Sequence, residues 1–303
     1  MPMARFRQIS AALSVANSRT LSRAVIARPL ALRQARAEHR PARSRGRAIA
    51  AERLLHALIP WVLPIALLLL WQVATTEGWL APQILPSPLT VWQTFLDLAS
   101  GGDIVTGLMI SLRRITVGFG IGATIGFGLG IALGRSVKVE HYLGPTIRAL
   151  AQVPSLGWLP FLMLIFGLGE TLNYVIIAKA CFVPIALNTA AGIRNLPPHY
   201  GELARALRLR RSTLMLRVVL PSALPSIFSG VRLALGHAWI AMVVVEMLAD
   251  TAGVGYMMTW GRTLFQIDVV IVGMIVIGAI GFLMDTGLRR IERRLQRWAP
   301  ARD

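Results

Sequence analysis

The chain has 303 residues, of which 55% are hydrophobic, with a mean hydropathy of +0.60 and a formal net charge of +18. Ordinary soluble domains do not carry that apolar fraction, so an integral membrane protein is indicated, with room for about six helical spans of roughly 20 residues each. The charge does not point to nucleic acid, because the arginines gather at the ends of apolar runs, and the single cysteine, Cys181, excludes a disulfide framework or a cysteine metal cluster.

Residues 1–53 hold twelve arginines against Glu38 and Glu52, a net +10. No apolar run in this stretch is long enough to span or to act as a signal peptide. It reads as a basic cytoplasmic extension without fixed structure, part of 20–37 suiting a basic helix on the membrane surface. An Arg- and Ser-rich start poor in acids also fits a transit peptide. The first span is predicted over 57–76, with Trp61 and Trp71 as interfacial anchors and Pro60 and Pro64 in its first turns. Further spans are predicted over 110–134, 143–168, 172–192, 224–247 and 268–288. The third is broken by Pro145, Pro154 and Pro160, and the fourth contains Pro184.

Charge sets the orientation. Segment 77–104 carries Glu77, Asp97 and Asp103 with no Lys or Arg, a net −3. Segment 193–217 has six arginines against Glu202, and 289–303 has six against Glu292 and Asp303. Short basic segments stay in the cytoplasm, so both termini and 193–217 are expected inside and 77–104 outside. Arg135 and Lys138 also fall inside. Arg113 and Arg114, near the outer start of the second span, are expected to snorkel or to belong to an outer-surface helix.

Span two carries Gly118, Gly122, Gly126, Gly130 and Gly134 in one narrow stripe. Such a stripe lets two backbones approach closely, within the chain or across a dimer seam. The break at Gln152–Pro160 frees backbone carbonyls that must be buried in protein or face a watery cavity, which makes it a candidate pore-lining segment; Trp158, Pro160 and Asn188 are the named pore candidates. Lys179, Asn188, Arg232, His237 and Glu246 are polar groups at membrane depth, where function is the default reading. Asn188 and Arg232 lie near inner ends and Glu246 near an outer end, where polarity costs less. Lys179 is closer to mid-span and needs a partner or water.

Neither lysine, Lys138 before Val139 nor Lys179 before Ala180, fits a P-loop. His-Glu-x-x-His and Gly-x-Ser-x-Gly are absent, and no catalytic residue, cofactor or metal site is read. Transport is therefore secondary or takes its energy from another chain. The longest polar gap between spans bears on that choice. It runs Gly201-Glu202-Leu203-Ala204-Arg205-Ala206-Leu207-Arg208 and leads to Val218-Val219-Leu220-Pro221. Glu202 near a helix start and arginines later suit the helix dipole, and Leu203, Ala206 and Leu207 suit a partner's cleft.

This segment resembles the EAA loop of the inner-membrane permease subunits of type I binding-protein-dependent ABC importers. The pattern is Glu-Ala-Ala, three residues, Gly, nine residues, then Ile-x-Leu-Pro. Glu202 and Ala204 match, Leu203 replaces Ala, Arg208 stands at the Gly, and Val218 stands for Ile before Leu220-Pro221. The likeness covers roughly 105–289. Pro154–Pro160, Phe166–Glu170 and Phe182–Pro184 with Asn188-Thr189 look like the nitrate, sulfonate and taurine branch.

The resemblance implies an all-α polytopic fold of six spans in a bacterial inner membrane. Residues 54–104 would form the first span and periplasmic loop, 105–289 the permease core with a coupling loop at 198–221, and 290–303 a basic tail. It implies cytoplasmic ATPase subunits that dock on Glu202, Ala204, Arg205, Ala206, Arg208, Leu220 and Pro221. It also implies a periplasmic binding protein, a permease homodimer and a small anionic cargo. The residues alone leave two alternatives: an ion-coupled secondary transporter using Lys179, His237 and Glu246, and a membrane scaffold that recruits a cytosolic protein.

Overall fold

A computed structural model describes residues 42–79, 81, 83–196 and 210–295. The basic start of the chain, the residues Glu202, Ala204, Arg205, Ala206 and Arg208, and the last eight residues lie outside them. All described regular structure is helical. The chain divides into two units, residues 1–70 and 71–303.

Helix α1, Ala42–Thr76, carries the first candidate span, Ile59–Thr76, and runs from the first unit into the second. It begins earlier than predicted, so Pro60 and Pro64 sit inside the helix and not in its first turns. The Arg- and Ala-rich stretch before them consists of good helix formers that extend the helix upstream.

Within residues 71–303, α2 spans Pro88–Ser100, α3 Asp103–Arg135, α4 Val137–Gln152, α5 Leu159–Phe166 and α6 Glu170–Arg194. Then come α7, Leu220–Ala249, α8, Val254–Thr263, and α9, Ile267–Leu295. Among the described residues five helices are long and apolar enough to cross a membrane, and the pair of segments Val137–Gln152 and Ser155–Phe166, bent by 93°, supplies a sixth if taken as one broken span. The break falls at Pro154, whose ring restricts Val153 to an extended conformation (ψ 113°) and ends α4. A 3₁₀ turn, Ser155–Trp158, then leads into α5.

The short helices α2 and α8 fall in stretches predicted as loop. Ser87 caps α2 by accepting a hydrogen bond from the Thr90 N–H at 3.1 Å, and Pro88 occupies the first turn. Thr94 of α2 donates to Asp268 Oδ2 of α9 at 2.5 Å, and Val91 joins Ile104, Val254, Val272 and Val276 in a small core.

The centre of the bundle is α6, two-thirds of whose span is buried inside the chain, against 17% for α9. Its main partners are α3 and α7. The glycine stripe of α3 is the reason: a Cβ on Gly118 would lie 2.7 Å from Ile177, one on Gly126 2.5 Å from the Phe182 carbonyl oxygen, and one on Gly130 2.6 Å from Thr189. The stripe is thus occupied within the chain, and close packing of backbones substitutes for a hydrophobic drive that lipid does not provide.

Upstream of α7, a helical turn, Arg211–Leu214, passes into a π-helical segment, Met215–Val219. Pro221 follows immediately and has no N–H to donate, so the hydrogen-bond ladder shifts register at this point. Leu220 and Pro221 are therefore fixed at the start of a membrane helix.

Candidate functional site

The two ends of the 71–303 bundle differ in charge. Helices α3 and α6 begin with Asp103 and Glu170 and finish with Arg135 and Arg194. Arg194 ties the basic ends together, donating to the Leu133 carbonyl at 2.7 Å and pairing with Glu140 at 3.2 Å. Arg148 also reaches Glu140, at 2.6 Å. α6 ends and α7 begins at this same end, where Ile193 packs against Val219 and Ala223.

The opposite end contains a buried charge cluster that sequence reading did not assemble. The Arg114 guanidinium is 4% exposed, the Glu246 carboxylate 0% and the Asp250 carboxylate 3%. Arg114 Nη2 and Nε donate to Glu170 Oε1 at 2.8 and 3.1 Å. Nη1 donates to Glu246 Oε1 at 3.0 Å and to the Ala252 carbonyl at 2.8 Å. Those two bonds use both Nη1 hydrogens, so Asp250 Oδ2, 3.1 Å away, is held by charge alone.

The Ser111 hydroxyl, 2.8 and 2.9 Å from the two Glu246 oxygens, donates its one hydrogen to that carboxylate, which also accepts from the Gly255 N–H at 3.0 Å. Asn173 donates to Asp250 Oδ1 at 3.0 Å. Burial pushes the Asp250 carboxyl above its ordinary value, against the lowering effect of the Asn173 hydrogen bond and the Arg114 charge. Gly253 has φ of +109° and lies so close to the Glu246 carboxylate that no Cβ fits, so only glycine closes the α7–α8 turn over it.

One expectation is corrected here. Arg114 does not snorkel: three carboxylates from α6, α7 and the turn after it outweigh the pull of water. Arg113 is 60% exposed and pairs with Glu170 at 3.2 Å. Arg232, near the inner end of α7, pairs with Glu292 and lies 3.7 Å from Asp285 on α9.

The third feature is a cavity of about 460 Å³ beside the α4–α5 break. Its wall includes Gln152, Ser155, Lys179, Asn188, Leu233 and His237. Lys179 Nζ donates to the Val153 carbonyl at 2.8 Å, one of the groups freed where α4 ends, and stands 5.4 Å above the Trp158 ring. Asn188 Nδ2 donates to the Pro184 carbonyl at 2.8 Å. Of the three pore candidates, Asn188 is a wall residue, Trp158 sits beneath Lys179, and Pro160 is exposed on α5. The ion-coupled set is separated: Lys179 and His237 line the cavity, while Glu246 belongs to the Arg114 cluster.

A family model described as binding-protein-dependent transport system inner membrane component matches residues 122–297, more than half of the chain. Residues of this chain are 41% identical to a candidate aliphatic sulfonates transport permease protein, SsuC, of Escherichia coli strain K12, over 80% of this chain and 92% of that one. They are 34% identical to the taurine transport system permease protein TauC of the same organism, over 78% and 87%. Among solved structures, an inward-facing MetNI methionine ABC transporter has a similar fold, with TM-score 0.55 and 18% identity over 62% of this chain and 94% of that one.

The chain belongs to the family of binding-protein-dependent transport system inner membrane components. It is the transmembrane permease subunit of an ABC importer, a pore-forming chain whose ATP hydrolysis takes place on a separate subunit and whose cargo arrives on a binding protein.

Proposed function

We propose that this permease imports a small organic sulfonate or a related small anion, that it works as a homodimer, and that both termini and the Glu202 loop face the cytoplasm. The observation that carries the orientation and coupling is the segregation of charge. Arg135, Arg194, Arg210 and Arg217 lie at one end of the bundle, beside Glu140, and Asp103, Glu170, Asp250 and Asp268 lie at the other, where Arg113 and Arg114 are paired with Glu170. Basic ends stay inside, so the ATPase would meet the loop directly. The names of the similar sulfonate and taurine permeases support the cargo class.

In this reading residues 198–211 form a docking element, with Glu202, Ala204, Arg205, Ala206 and Arg208 against the ATPase and Leu220-Pro221 fixing its exit into α7. Nucleotide binding closes the ATPases and displaces the element, and α7 carries the movement to the cavity wall, one rigid body with two positions. The residues of 1–53 and 290–303 form cytoplasmic arms whose arginines meet anionic lipid.

The test is Glu202→Arg in the reconstituted transporter. The permease is expected to insert normally while substrate uptake falls and hydrolysis loses its response to the loaded binding protein. Undiminished uptake would overturn the docking role.

A further inference from the structure

We propose that Lys179 is the anion receptor of the membrane cavity, binding the acidic head of the cargo while it is inside the bilayer; this rests on the anionic-cargo reading above. Among the described residues, Lys179 supplies the only formal charge in the cavity wall, and no carboxylate pairs with it. An isolated ammonium at membrane depth is costly unless it is held and used. Here it is held from two sides, by the Val153 carbonyl at 2.8 Å and by the face of Trp158 at 5.4 Å. Those contacts leave donor capacity free, since an ammonium has three N–H bonds and the carbonyl takes one.

The rest of the wall suits the same ligand. A sulfonate is permanently ionised and offers three oxygens that only accept. Around Lys179 the cavity presents Gln152, Ser155, Asn188 and His237, all able to donate and none carrying a negative charge. The Asn188 amide has a second N–H beyond the one given to Pro184. The volume of about 460 Å³ lies within the range of small-molecule sites.

A single cation also suits passage. Conduction requires a site strong enough to admit the ion and weak enough to release it, and one ammonium already neutralised in part by a carbonyl dipole and a ring face meets both needs. The unusual origin of the site is the α4–α5 break, which provides the carbonyl that fixes the lysine and opens the space in front of it.

The experiment uses the complete transporter, with ATPase and binding protein, in proteoliposomes. Uptake is measured for ethanesulfonate, sulfate, nitrate, bicarbonate and uncharged glycerol with the wild type, Lys179→Met and Lys179→Arg. For whichever anion the wild type carries, Lys179→Met is expected to lower uptake about tenfold or more, the scale of one charge-assisted contact. Lys179→Arg is expected to restore much of it, and ATP hydrolysis stimulated by the binding protein is expected to persist in both variants. Rescue by arginine separates anion binding from a structural role.

If the carried anion is not a sulfonate and Lys179→Met still abolishes its uptake, the receptor stands and the sulfonate assignment falls. Equal ethanesulfonate uptake by wild type and Lys179→Met overturns the receptor and leaves the cargo assignment intact. Carriage of glycerol and of none of the anions overturns both, as does failure of arginine to restore uptake overturn the receptor.

Discussion

At the scale of single residues, Arg114 and Arg113 are neighbours with different environments. Arg114 is enclosed by Glu170, Glu246 and Asp250, whereas Arg113 is largely exposed and has one partner. Removing one member of a buried charge group leaves the others uncompensated, which costs about 3–5 kcal/mol. Arg114→Ala is therefore expected to lower the thermal midpoint of the purified permease sharply, read by tryptophan fluorescence in detergent. Arg113→Ala is expected to leave it nearly unchanged. Equal shifts for the two variants would show that the enclosed cluster adds nothing. None of this grouping was visible from spacing, because Arg114 is separated from Glu170 by 56 positions and from Glu246 by 132. The sequence does show an arginine near the end of one span and acids at the ends of two others, but only packing decides that they converge.

At the scale of elements, the α3–α6 contact predicts a contrast between glycines on one helix. A Cβ on Gly122 would collide with Cys181 and with the backbone of Ala178, while Gly120 and Gly128 have open space around them. Gly122→Val is expected to destabilise by at least the ~1–3 kcal/mol typical of overpacking and to yield little monodisperse protein on size exclusion. Gly128→Ala is expected to be neutral or stabilising, since alanine is the better helix former. A tolerated Gly122→Val would mean that the two helices do not approach as described. The spans themselves were legible from apolar length, and the broken one from Pro154. Helices α2 and α8 were not, because they have only 13 and 10 residues and lie among Gly and Pro. Their evidence is tertiary: Val91 and Val254 become core residues only when α9 lies across both.

At the scale of the whole molecule, sidedness is the property on which transport depends. Cys181 is the one cysteine of the sequence and is fully buried, so the native chain is a silent background for thiol labelling. Glu202→Cys is expected to react with a membrane-impermeant maleimide in inverted vesicles and not in intact cells. Labelling in intact cells would reverse the assigned orientation and with it the coupling scheme. The Glu202 segment was found in the sequence through its motif, whereas the Lys179 cavity depended on seeing a helix end meet a side chain 26 residues away.

The Arg114 cluster also sets a schedule for biogenesis. Its helix leaves the ribosome long before the helix that bears Glu246, 132 residues downstream. At synthesis rates of about 5–20 residues per second, the guanidinium waits on the order of ten seconds before that acid emerges. During that interval the nascent α3 has to be sheltered by the insertion machinery, by lipid phosphates or by Glu170, which is made first. Locking of the bundle is thus a late event, completed when α7 arrives and the turn through Gly253 folds over the pair.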